Sequence, residues 1–203
     1  INVVQFNDYI ESINQYTAGD FDACTMTNMD ALTIPAAGGV DSTALIIGDF
    51  SNGNDALIIK QGQAISDVKG QNINLVELSV SHYLLARALD SVGMNERDVT
   101  VVNTSDADMV AAYTTNDVTS VVTWNPLVSE ILGLPNANKV FDSSQIPGEI
   151  IDALFVKTQV LEEHPELGKA LAGAWYEIMS VMESTPAARE QMGLASGTDL
   201  SGY

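Results

Sequence analysis

A single cysteine, Cys24, stands in a chain of 203 residues, which excludes a disulfide framework and a thiolate metal cluster. Its apolar neighbours, Ala23 and Met26 among them, point to a small buried core residue. Histidine is almost as scarce, since only His82 and His164 could supply an imidazole base. Ser81 and His82 are adjacent, so their side chains diverge and do not pair as nucleophile and base. His164, between Glu163 and Pro165, reads as a helix-end surface residue. The sequences HExxH, GxSxG, GxxxxGKS/T and GxGxxG are all missing. The loop from Asp49 to Asp55 fails as a calcium loop, because Lys60 stands where the bidentate Glu is needed. No metal, cofactor or turnover is therefore expected. Positive charge is also short: 8 Lys+Arg face 27 Asp+Glu, for a net charge of -19, and none of the eight precedes Lys60. Nucleic acids and anionic membrane surfaces need a basic face, so both are excluded as partners. No run reaches the roughly 18 consecutive apolar residues that cross a bilayer. The acidity reads either as a solvated surface of a secreted or salt-adapted protein or as a field that attracts cations. No leader pattern stands at Ile1. The run 1–6 reads at once as a strand, which implies that something upstream has been removed.

What is present is alternation of strand-length apolar runs with helical segments. Ala44-Leu45-Ile46-Ile47 and Ala56-Leu57-Ile58-Ile59 are β-rich, and the Gly/Asp/Ser/Asn stretch 48–55 between them is loop chemistry. The chain is expected to leave one sheet and enter another there. One plan occurs twice: a helix over 9–16, a strand over 21–24 and a helix capped at Thr27 or Asn28, then a helix over 109–113, a strand over 120–123 and a helix opened by Asn125-Pro126. A third strand-to-helix junction joins 75–78 to 82–89. Later come strands at 139–141 and 151–156, a break at 145–148, and helices at 159–163 and 166–182 with Pro165 at the start of the second. This order predicts α/β lobes with largely parallel sheets. The first lobe is placed at 1–56 and again, on the return, at 148–203, with the second lobe at 57–147 between them.

In parallel sheets, strand-to-helix junctions gather at the strands' carboxyl ends, where ligands bind and helix N-termini offer free N–H groups. The junctions Thr25-Met26-Thr27-Asn28, Ser79-Val80-Ser81-His82-Tyr83 and Thr123-Trp124-Asn125-Pro126 carry hydroxyls, amides and aromatics. Thr27, Ser81 and Asn125 can equally be helix caps alone. Asp22, Asp30, Asp49 and Asp55 lie near these loops with no base in 1–59 to neutralise them. Unpaired carboxylates suit a guanidinium or ammonium ligand. Asp30 could instead complete a capping box with Thr27, and Asp55 could be a turn residue. Trp124 and Tyr83 read either as stacking partners for a planar ligand or as core.

The segments Tyr16-Thr17-Ala18-Gly19-Asp20-Phe21-Asp22-Ala23, Asp49-Phe50-Ser51-Asn52-Gly53-Asn54-Asp55, Leu78-Ser79-Val80-Ser81-His82-Tyr83-Leu84-Leu85 and Val122-Thr123-Trp124-Asn125-Pro126 resemble ABC-transporter substrate-binding proteins of the nitrate/sulfonate/taurine type. Within that group the likeness is strongest to the branch encoded with urea carboxylase. The resemblance implies a two-lobed type II periplasmic-binding-protein fold closing on a small solute that is handed to an ABC permease, in the periplasm or another extracytoplasmic space. It implies ligand contacts from Thr25, Asn28, Ser51, Asn52, Ser79, Ser81, His82, Trp124 and Asn125, to which the unpaired acids add Asp30 and Asp49. Urea or a guanidine compound fits these acids, whereas nitrate or a sulfonate would call for Arg or Lys. Members of this group normally carry a leader, a first strand and an aromatic-rich loop, and continue well past Tyr203. The expectation here is a fold lacking its first strand and its C-terminal part, able to pair with a second copy through an exposed edge. The competing expectations are a small-molecule enzyme on the same fold, a pyrimidine-precursor synthase or a lyase, and a regulator's effector domain.

Overall fold

The computed structural model describes residues 1–195, which form two sheets. The first has three strands in the order β1 (Ala23–Thr27), β8 (Ile151–Lys157), β2 (Ser42–Phe50), and both pairings are antiparallel. The second has the order β5 (Thr100–Asn103), β4 (Asn72–Leu75), β6 (Ser120–Trp124), β3 (Asp55–Ile59), β7 (Asn138–Asp142). Here β4 runs parallel to β5 and β6, whereas β3 runs against β6 and β7. The expectation of largely parallel sheets holds only for the β5-β4-β6 part. The cause is the route of the chain: it passes from β2 straight into β3 across 51–54, then returns from β7 across 143–150 into β8. β8 thus enters between β1 and β2 without a helical crossover, and nothing obliges it to run parallel to either.

Both faces of β3 are covered, which explains its unbroken apolar run: Asp55–Ile59 is buried throughout. Leu57 and Ile59 meet helix α3 (Val80–Ser91), whose Leu84, Leu85, Ala88 and Leu89 are fully buried. Ala56 and Ile58 meet α4 (Asp106–Thr114) and α5 (Leu127–Leu132) through Met109, Tyr113, Val128 and Ile131. Each large aliphatic side chain buried this way contributes about 1.5–3 kcal/mol. The first sheet packs Cys24, Met26, Ala153 and Phe155 against Ile13 and Tyr16 of α1 (Tyr9–Ala18). α1 begins where Asp8 accepts the Glu11 amide and ends at Gly19, whose φ of 103° only glycine adopts without strain. After α2 (Asn28–Ala31) and a wide turn over Leu32–Ala36 the chain enters β2; after β8 come α6 (Thr158–Glu163), α7 (Pro165–Ser184) and α8 (Pro186–Ala195).

Three strands differ from expectation. Residues 1–6 form no strand, and Ile1, Val3 and Val4 are exposed, because β-rich composition needs a partner ladder and β1 is paired only with β8 among the described residues. The strand expected at 21–24 lies at Ala23–Thr27, in register with β8. The strand expected at 75–78 ends at Leu75, where its pairing with β5 ends, and Leu78 turns the chain with a φ of 64°.

The two crossings are fastened together at Ser143, which is wholly buried. Its Oγ accepts the Gly53 amide at 2.8 Å and is hydrogen-bonded to Ser51 Oγ at 2.7 Å. Ser143→Ala would leave the Gly53 amide unpaired and Ser51 with Asp55 alone. The expected loss is about 1–2 kcal/mol of stability in denaturant titration, with amide exchange accelerated at Gly53.

Candidate functional site

Acidic side chains gather where the chain changes sheets. Asp49 and Asp152 are direct partners across the β2–β8 ladder, on the last turn of chain before one crossing and the first after the other. Asp55 opens β3 just beyond the first crossing, 5% exposed, with the Ser51 hydroxyl donating to its carboxylate. Burial, followed by the Asp30 and Asp49 charges and against the Ser51 bond, lifts Asp55 to about 6. Asp152 rises to about 7: burial leads, then the charges of Asp49 and Asp55, a hydrogen bond shared with Asp49, and the charge of Asp30. Like charges placed opposite each other favour one shared proton over two full charges. No Lys, Arg or His among the described residues acts on either group. Arg87, on α3, is held by Glu149 at 2.8 and 3.0 Å, with the Tyr83 hydroxyl donating to the same carboxylate at 2.6 Å.

Asp30 lies in the same field and is fully buried. The Tyr9 hydroxyl donates to its Oδ2 at 2.6 Å and the Thr27 hydroxyl at 2.8 Å, while Thr27 Oγ1 accepts the Asp30 amide. Thr27 therefore caps α2, but the reciprocal half of a capping box goes elsewhere: the Thr27 amide donates to Tyr9 Oη. Burial pushes Asp30 up, and the Tyr9 and Thr27 hydroxyls and the Val80 amide pull it back. Asp30 Oδ1 itself has no hydrogen-bond partner among the described residues. Val80 belongs to α3, so α2 of the first sheet meets the N-terminus of a second-sheet helix here. Thr33 donates to the Leu78 carbonyl across the same boundary, and the Tyr9 ring sits edge-on to Trp124, 5.5 Å between centroids.

Beside this boundary a pocket of about 250 Å³ opens on the first sheet, with Tyr9, Thr25, Gly48, Asp49, Asp152 and Trp175 among its walls. Two carboxylates and two aromatic rings among these walls suit a small, flat hydrogen-bond donor or cation. No group of His, Cys, Asp or Glu among the described residues has metal-holding geometry.

Of the residues expected from sequence, Thr25 and Asp49 line this pocket, and Asp30 and Trp124 reach it through Tyr9. Ser79 caps α3, accepting the Ser81 amide at 3.1 Å, and Ser81 Oγ is buried without a partner. Asn28 is taken up by the return crossing, donating to the Glu149 carbonyl and accepting the Ile151 amide. Ser51 is spent on Asp55 and Ser143. Asn125 accepts from Ser129 and donates to Asn54, capping α5 beside a cis bond to Pro126. His82 has both nitrogens engaged, with the Leu78 amide and Glu96, and Asn52 is exposed on the crossing. Sequence reasoning missed Asp152, Tyr9 and Trp175. An acid within Ile150-Ile151-Asp152-Ala153-Leu154 was a usable signal, because a strand interior seldom holds an unpaired carboxylate.

The model of the NMT1-like family matches residues 17–195. The taurine-binding periplasmic protein of Escherichia coli (strain K12) is 27% identical over 146 residues, covering 70% of this chain and 45% of that relative. The chain thus spans about half the length of the curated relatives it matches. The alkanesulfonate-binding protein SsuA of Xanthomonas axonopodis pv. citri, bound to MOPS, superposes with a TM-score of 0.79 at 17% identity, over 96% of this chain and 68% of its own. A desulfurization enzyme, DSZB, superposes with a TM-score of 0.64 at 14% identity, over 89% of this chain and 69% of its own. The shared architecture is the type II periplasmic-binding-protein fold, which both binding proteins and an enzyme use.

Proposed function

Because the chain belongs to the NMT1-like family, we propose that it is the solute-binding component of an ABC importer, taking a small urea- or guanidine-like nitrogen compound between two lobes. The lobes are 1–56 with 148–203, and 57–147; the last eight residues, 196–203, lie outside the described residues. The protein works outside the cytoplasm, in the periplasm where there is one, and hands its solute to a membrane permease. It performs no turnover. The observation that carries the nitrogen ligand is the Asp49–Asp152 pair in a pocket walled by Tyr9 and Trp175, all of it on the first lobe beside the boundary with the second, with no base anywhere in the first 59 residues. A carboxylate accepts two parallel N–H bonds from a guanidinium or a urea edge, and aromatic faces hold such planar groups.

A second reading, a sulfonate or taurine, is favoured by the names of the relatives. Calorimetry and thermal-shift titration with guanidinium, urea, taurine and nitrate separate the two. Guanidinium or urea is expected to saturate the protein, with nitrate at least about tenfold weaker. Saturation by nitrate or taurine alone would sink the nitrogen reading and leave the solute-binding role. Steady conversion of bound solute by metal-free protein would sink the absence of turnover.

A further inference from the structure

Resting on the reading that the pocket takes a nitrogen compound, we propose that its ligand is a guanidinium or amidinium carrying a compact apolar group of about six carbons, not the bare head group. The strand register sets out both halves of such a molecule. Asp49 and Asp152 are partners on one rung of the β2–β8 ladder, and Ile46 and Leu154 are partners on another, with Thr25 of β1 in register beside Leu154. Alternate residues of a strand share a face, so Asp152 and Leu154 stand on the same side of β8, about 7 Å apart. All five side chains belong to the pocket wall. Trp175 closes on the interval between the rungs: a side chain added at Gly48 would stand 3.8 Å from the tip of its ring.

Volume and wall chemistry agree with this. An apolar cavity of about 150 Å³ takes up benzene, so in proportion the pocket's volume of about 250 Å³ holds about ten heavy atoms. Bare guanidinium is one carbon and three nitrogens. It would meet the two carboxylates and leave more than half of the space as water against Met26, Ile46, Leu154 and Trp175. Water held against apolar walls gains by leaving for bulk, and carbon that takes its place raises affinity roughly three- to fourfold per buried methylene. A neutral hydrocarbon or a fatty acid fails on the other count, because it would strip the carboxylates of water with no donor in return. Donors at one rung and carbon at the next describe one ligand class, a cationic head on an apolar body.

The test is calorimetry on the full chain at pH 8 with the chlorides of guanidinium, its methyl, butyl, hexyl and octyl derivatives, and benzamidine. Hexanol and sodium hexanoate control for carbon without the cationic head. Affinity is expected to rise about threefold per carbon as far as hexyl and to climb no further at octyl, with benzamidine at least about tenfold tighter than guanidinium. Neither hexanol nor hexanoate should saturate. Trp175→Ala should cost hexylguanidinium far more than guanidinium, flattening the climb, whereas Asp49→Asn should lower the whole series together. Trp175 is 40% exposed, and melting curves establish that each variant is folded. Saturation by guanidinium with no gain on lengthening the chain overturns this proposal and leaves the nitrogen reading standing. A climb that persists unchanged in folded Trp175→Ala, or saturation by hexanol, overturns it as well, since the carbon is then held elsewhere. If no cation of the series saturates the protein, this proposal and the nitrogen reading fall together.

Discussion

Stability is expected to fall as pH rises from 5 to 8, and Asp152→Asn should remove most of that fall. Asp152 sits near 7 and Asp55 near 6 in the folded protein, against an ordinary value of 3.8. A carboxyl raised by folding holds its proton more tightly in the native state than in the unfolded chain. Below about 4 both states are protonated and the group is neutral in the balance. Between there and 7 the unfolded chain releases the proton first, so each step up in pH favours unfolding, and above 7 the loss is complete. The groups that face Asp152 are Asp49, Asp55, Asp30 and Tyr9, and none is basic. Asp152 is only partly buried, so solvent screening cuts the loss to about 2 kcal/mol. Asp67, Asp98, Asp142 and Glu149 work the other way, being held low by hydrogen bonds or by Lys and Arg partners; their contribution is lost as pH drops below about 4. The optimum should therefore lie near pH 4, where the two opposing trends meet. Urea titration at pH 5, 6, 7 and 8 measures the slope. A flat wild-type profile, or the same slope in Asp152→Asn, would refute the assignment.

Asp49→Asn is expected to weaken guanidinium binding by roughly ten- to a hundredfold, the equivalent of about 1.5–3 kcal/mol for one charge-assisted bond. Asp49 lines the pocket, is more exposed than its partner Asp152, and so is the carboxylate an incoming ligand meets. The amide keeps the shape and one acceptor but loses the charge and half of the paired geometry. Glu190, exposed on α8, supplies the control, since Glu190→Gln removes the same charge far from the pocket. Calorimetry at pH 8, where Asp152 is ionised, gives the cleanest contrast. Equal affinities for wild type and Asp49→Asn would remove the pocket from the binding reading.

The change of sheet between Ile47 and Ala56 was legible because two β-rich runs flank a polar loop, and the pattern is local. The cap at Thr27 was legible for the same reason, as a hydroxyl standing just ahead of a helix, whereas the cap expected at Ser81 lies at Ser79, because α3 begins earlier, at Val80. The strand direction in the first sheet was not legible. It depends on β8, more than a hundred residues from the strands it separates, and composition carries no record of a partner's direction. The acid cluster was half legible. Asp30 and Asp49 stood out as unpaired, but Asp152 was absorbed into an apolar strand, and only the register across from Asp49 reveals it. Asn28 and Asn125 had the right chemistry for ligand contact; long-range neighbours, Glu149, Ile151 and Asn54, claim their side chains instead.

The two crossings differ in length, and this gives the molecule a mechanical asymmetry. Four residues, 51–54, make the first, a tether that can span no more than about 14 Å even when taut. Eight residues, 143–150, make the second, with about twice that reach. The short tether fixes the spacing of the sheets at the Ser51–Ser143 fastening, while the long one takes up its extra length by being pinned along its course, with Ile146 and Ile150 buried and Glu149 held by Tyr83 and Arg87. One residue inserted at 51–54 would therefore displace one sheet against the other, since four residues leave no length in which to absorb it.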